Sequence, residues 1–167
     1  MITIGKLEDI SKDFSSPNFK AARLGYAAAE YYRATYLLYH FQWQDKGMPF
    51  TSVVYPTMHQ TIELLAKGIS YKIDNDFNPH KLKKKHSVIE ILNQYSPISR
   101  LFKLILASEN CTSLLTGLEA SYLGARYGEC YVGDEGQAWL CYDEMANALF
   151  NELRRLTGLR IPNGFIP

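Results

Sequence analysis

The feature that most constrains this chain is the spacing of its apolar residues. In five separate stretches they recur every three or four positions, and no stretch alternates long enough to make a strand. A repeat near 3.6 gathers side chains on one face of a helix, whereas a half-buried strand needs a repeat of two. In the first stretch the stripe runs through Ala21, Leu24, Ala28, Tyr31, Thr35, Leu38 and Gln42. Ser16-Pro17 opens it as N-cap and N1, and Lys46-Gly47 with Pro49 beyond closes it. This register leaves Tyr32, Tyr36 and Tyr39 off the stripe. There they serve either an outer surface for protein association or ordinary boundary packing.

The second helix begins near Pro56, with Thr57 and Gln60 as a capping box and Met58, Ile62, Leu65, Ile69 and Ile73 inward. Asp74 to Pro79 is loop chemistry, since each polar side chain there competes for its own backbone. Ser87 and Glu90 form a capping box for a short third helix carrying Ile89, Leu92 and Tyr95. Ser96-Pro97 opens a long fourth helix with a seam of Leu101, Leu104, Ser108, Cys111, Leu115, Leu118, Tyr122 and Ala125, broken at Arg126-Tyr127-Gly128. Asp134 caps a fifth, lined by Trp139, Tyr142, Met145, Ala146, Leu149, Leu153 and Leu156 and ended by Gly158. The pattern predicts an all-α fold: an antiparallel up-and-down bundle of four main helices plus a short third. It forms a single domain, with its core over 17–158 and an irregular tail over 159–167.

Charge and cysteine usage narrow the function. Against 18 Lys and Arg stand 17 Asp and Glu, a formal charge of +1, which excludes a whole-surface nucleic-acid binder but leaves room for a local basic patch. Cys111, Cys130 and Cys141 form no CxxC pair, and they read as reduced, structural, unpaired thiols, with Cys111 buried on the fourth-helix seam. Neither a signal-peptide pattern nor an apolar run of about 20 residues occurs, so a cytoplasmic protein outside the membrane is expected.

Glycine loops of the GxGxxG or Walker type and the HExxH motif are absent, and no cofactor is expected. Glu63 and Lys67 stand at i,i+4, as a structural ion pair or as ligand contacts. His59, four residues before Glu63, could join it on a metal, but a second histidine or acid cluster is missing from the pattern. The run His80-Lys81-Leu82-Lys83-Lys84-Lys85-His86 precedes a helix N-terminus. It fits a solvated linker, or an anion platform in which helix N–H groups join the lysines. Arg126 beside Tyr127 is either a helix C-terminal cation or a fork and ring for a phosphate or base.

Four segments in this order carry a resemblance: HQTIELLAKGI from His59, KKHSVIEIL from Lys84, SYLGARYGECY from Ser121, and a final amphipathic helix. Together, from about Phe19 to Leu156, the chain resembles the HEPN superfamily of helical domains. Glu63 and Lys67 match an E-L-L-x-K second helix. His86 matches a turn histidine, with Ser87 in place of the usual acidic residue, and Arg126-Tyr127 matches an A-R-Y segment. The resemblance implies a helical bundle, often a homodimer. It also implies either a ribonuclease with R-x(4–6)-H late in the chain, or a non-catalytic module that binds nucleotides or pairs with a nucleotidyltransferase-type partner in toxin–antitoxin-like systems. Arg126 is followed by Tyr131 at the matching spacing, no histidine follows His86, and the literal R-x6-H, Arg33 to His40, lies in the first helix. The non-catalytic module is therefore expected, with Arg126, Tyr127, His86, Lys83, Lys84, Lys85, Glu63 and Lys67 as its ligand-binding residues. The alternatives are a metal-independent ribonuclease using Arg126 with a histidine, and a purely structural dimer.

Overall fold

The computed structural model describes residues 16–44, 53–124 and 135–159. Among them the regular structure is helical throughout, with six α-helices. These are α1 (Pro17–Gln44), α2 (Val54–Ile73), α3 (Val88–Tyr95), α4 (Arg100–Ala107), α5 (Glu109–Gly124) and α6 (Glu135–Thr157), with a 3-10 turn over Pro79–Lys81. Helix α2 is the centre. Its longest packing is against α1, and α3, α5 and α6 also lie on it. Twelve of its 20 residues are buried, so it is covered on more than one face. Met58, Ile62, Leu65 and Ile69 are fully buried as the spacing predicts, each contributing about 1.5–3 kcal/mol, while Ile73 is only partly buried.

Ser16 caps α1 as expected, accepting from Phe19 N at 3.2 Å. The buried face differs from the expected one. Ala21, Ala28, Ala29, Tyr32, Thr35 and Tyr39 point inward, and Tyr31 is exposed. Tyr32 and Tyr39 are therefore not an outer surface. Tyr32 stacks with Tyr142 at 5.8 Å, meets Phe150 edge-on and donates to Asp143. Tyr39 lies 4.1 Å from the Trp139 ring and nearly parallel to it. A polar hydroxyl that finds a partner makes tyrosine a core residue, which apolar spacing alone does not register.

Three other end signals differ in part. Helix α2 starts at Val54 without a side-chain cap, and Thr57 lies inside its first turn, donating to the Val54 carbonyl at 2.8 Å. Ser87 accepts from Glu90 N at 3.1 Å, but the Glu90 carboxylate turns away and accepts from the backbone N–H groups of Lys83 and Lys84 at 2.8 and 2.9 Å. The long fourth helix is two helices. Ser96 is the C-cap of α3, Ser99 caps α4, and an extended Ser108 separates α4 from α5. The Ser108 hydroxyl accepts from Cys111 N at 3.3 Å, so it competes with the helix for that donor. Leu104 on the expected seam is exposed, and Cys111 is half-buried rather than buried.

Helix α6 keeps its expected face. Tyr142, Met145, Ala146, Leu149 and Leu153 are buried, and Trp139 and Leu156 lean on the core. Gly158 ends it at φ +68°, its N–H donating to the Arg154 carbonyl at 2.8 Å, an αL cap. Gly25 is needed for a different reason: a Cβ there would sit 2.7 Å from a Leu159 methyl and 2.8 Å from a Leu153 methyl, so α1 and the end of α6 approach too closely for a side chain. The Lys46-Gly47 stop, the Asp134 cap, Cys130, Arg126-Tyr127 and the tail beyond 159 lie outside the described residues. Among the described residues no helix is long and apolar enough to cross a membrane.

Candidate functional site

The turn that carries the basic run is built by its short polar side chains. Asp74, at the C-cap of α2, accepts from Asp76 N at 2.9 Å and from the Tyr95 hydroxyl at 2.7 Å. Asn78 caps the 3-10 turn by accepting from His80 N at 2.9 Å. Phe77 packs edge-on to Tyr71 and Tyr95, and Leu82 is buried amid the exposed lysines. With Glu90 holding the Lys83 and Lys84 backbone, the run is a fixed turn whose lysine side chains remain exposed to solvent. Those two N–H groups, Lys84 first, keep the Glu90 carboxyl below its usual range.

This turn closes over α2 and the end of α5 to form a cleft of about 500 Å³ lined by His59, Lys84, Lys85, His86, Ser87, Glu119, Ala120 and Tyr122. Glu63 lies beneath it, buried, with Lys67 ion-paired one turn along α2. His86 Nδ1 sits 3.1 Å from Glu63 Oε1. A carboxylate only accepts, so this contact puts a proton on Nδ1 and leaves Nε2 for a ligand. Tyr122 faces both imidazoles, stacked on His59 at 4.7 Å and tilted to His86 at 5.5 Å.

His59 is 1% exposed, and neither ring nitrogen makes a hydrogen bond of good geometry, although the His86 backbone lies close enough to act on the ring. Its Nδ1 is 3.6 Å from Glu63 Oε2, too far for a bond, and that oxygen is unpartnered. Burial lowers the His59 pKa against the pull of Glu63 and Glu119, so the ring is neutral at pH 7. Each unsatisfied buried nitrogen costs about 1–3 kcal/mol, which a ligand that bonds to it recovers. At the other wall, Glu119 accepts from Ser87 Oγ at 2.9 Å and Ile89 N at 2.9 Å, and so caps α3 from another helix. This carboxylate occupies the donors that an anion at the α3 N-terminus would use.

Of the residues expected from the sequence, His86, Lys84 and Lys85 line the cleft. Lys83 is exposed beside it and contributes its backbone to Glu90. Glu63 and Lys67 do not line it; Glu63 meets His86 Nδ1, and Lys67 pairs with Glu63. Arg126 and Tyr127 lie outside the described residues, four and five positions after Tyr122. Sequence reasoning weighed His59 only as a metal ligand and missed Glu119 and Tyr122. The i,i+4 pair His59/Glu63 was a visible signal, whereas the α5 contributions depend on tertiary packing. Among the described residues no group of three or more His, Cys, Asp or Glu side chains is arranged to hold a metal. Comparison of the chain with family models, with curated proteins and with solved structures gives no match.

Proposed function

We propose that this cleft binds the phosphate of a nucleotide or of another phosphorylated ligand, and that the chain is a non-catalytic, HEPN-like binding module. The observation that carries the reading is the buried His59, without a hydrogen bond of good geometry, on the floor of a cleft rimmed by Lys84, Lys85 and His86. Phosphate oxygens accepting from the Lys84 and Lys85 ammonium groups, with a phosphate hydroxyl donating to His86 Nε2, match that arrangement. The resemblance implies Arg126 and Tyr127 as further ligand-binding residues, a guanidinium and a ring suited to the same class of ligand. One charge-assisted bond is worth about 1.5–3 kcal/mol, tenfold or more in affinity. Calorimetric titration with AMP and with inorganic phosphate tests this. Binding that weakens with salt, and at least tenfold in His86→Ala and in Arg126→Ala with the helical signal unchanged, is expected. Equal affinity in both variants overturns it.

The reading includes an antiparallel bundle that pairs as a homodimer or with a nucleotidyltransferase-type partner. Tyr26, Tyr31 and Leu37, exposed on α1, supply apolar surface for such pairing.

A second reading has one observation in its favour. Two imidazoles share the cleft, and both lie within 3.6 Å of one carboxylate, the disposition an acid–base pair needs to cleave RNA without metal. RNA cleavage in chelator, lost in both His59→Phe and His86→Ala, would favour the ribonuclease over the binding module.

A further inference from the structure

A second groove, of about 440 Å³, runs between α5 and α6 on residues the phosphate cleft does not use. Cys111 of α5 and Cys141 of α6 line it, with Ser113, Gln137 and Glu144 among their polar neighbours. Their sulfurs are 3.7 Å apart, and the Cys141 thiol donates to Cys111 Sγ. Both side chains are half-buried and both are free thiols. We infer that Cys111 and Cys141 are a peroxide-oxidisable pair that closes into a reversible disulfide across α5 and α6.

The geometry is close to what the bond requires. A disulfide has its sulfurs ~2.05 Å apart, so the pair must close by ~1.7 Å, within reach of side-chain rotation on two facing helices. The groove opens to solvent, which gives a small oxidant access. Burial, and then Cys111, push the Cys141 thiol up to about 12, which makes Cys141 a poor first nucleophile. Cys111 is thus the attacking sulfur and Cys141 the resolving one. The Cys111 thiolate attacks a peroxide oxygen, the O–O bond breaks, and hydroxide leaves to take up the thiol proton as water. Cys141 then attacks the sulfenic sulfur, and a second water leaves carrying the sulfenic oxygen and the Cys141 proton. Two thiols and one hydrogen peroxide give one disulfide and two waters. The link joins residues 30 apart in sequence and fixes the start of α5 to α6.

The test is a titration of the reduced wild-type protein with hydrogen peroxide. Digestion with a glutamate-specific protease follows, since Glu109, Glu119, Glu129, Glu135 and Glu144 place the three cysteines on separate peptides. At one equivalent, a Cys111–Cys141 crosslinked peptide two hydrogens lighter is expected as the main product, reversed by dithiothreitol. The oxidised protein should melt roughly 5 °C or more above the reduced one. In Cys111→Ser, Cys141 should stay unmodified; in Cys141→Ser, Cys111 should stop at sulfenic acid. A crosslink to Cys130, disulfides only between chains, or Cys111 passing to sulfinic acid in the wild type would each overturn the inference.

Discussion

Glu63 shows how one carboxylate can organise a site without lining it. Buried at 2% exposure, it is bonded to Lys67, supports His86 from below and lies near the His59 ring. Removing it leaves Lys67 with a nearly buried, unmatched charge. Glu63→Ala should therefore lower stability by about 3 kcal/mol in urea unfolding and weaken ligand binding by freeing His86. His59 gives a pH signature. Its pKa is lowered from 6.5 in the folded protein, chiefly by burial. Below about pH 6.5 the unfolded chain takes up a proton that the folded one refuses, so stability falls as pH drops through that window and is full above it. Glu63, His86, Glu119 and Tyr122 all act on or adjoin the ring, and Lys67 pairs with Glu63, so the fair comparison is with His59→Phe, which keeps the stack on Tyr122. The variant should lose less stability than the wild type between pH 7 and 5, read from urea midpoints, and equal losses would remove the assignment.

Elements here are fixed more by their ends than by propensity. Ser87 caps α3 and donates to Glu119, which also accepts from Ile89 N. Glu119→Ala should cost about 1–2 kcal/mol and raise amide exchange at Ile89 and in the lysine turn, because α3 loses the carboxylate anchoring its first turn to α5. Gly158→Ala should cost about 1 kcal/mol, since φ +68° disfavours a Cβ. Both end signals that the sequence carried at Ser16 and Gly158 are present. The Ser108 break was not legible, because a serine in a seam with spacing of three and four looks the same whether it continues a helix or caps the next one. The Thr57/Gln60 box failed on the mirror ambiguity: a threonine in the first turn can bond backward to a carbonyl instead of forward to an N–H.

At the scale of the molecule, the helical class was legible because periodicity measures which face is buried. Which tyrosines of α1 are buried was not, because that depends on Asp143, Trp139 and Phe150, 100 or more residues away in sequence. Tyr32→Phe, which removes one buried hydroxyl bond and keeps both ring contacts, should cost about 1 kcal/mol in thermal or urea unfolding. The cleft divides the same way. His86 and the lysines announce themselves as a basic run beside a helix start. Glu119 and Tyr122 enter only because α5 packs on α2 and α3.

The most direct test of the cleft is the ring nitrogen spectrum of its two histidines. With inorganic phosphate titrated into ¹⁵N-labelled protein at pH 7, His59 and His86 ring signals should shift together and saturate at one apparent Kd. The Kd should rise at least tenfold in a Lys84→Ala/Lys85→Ala variant and with added salt. Shifts confined to the exposed His40 and His80, or a linear drift of every signal without saturation, would contradict phosphate binding in the cleft.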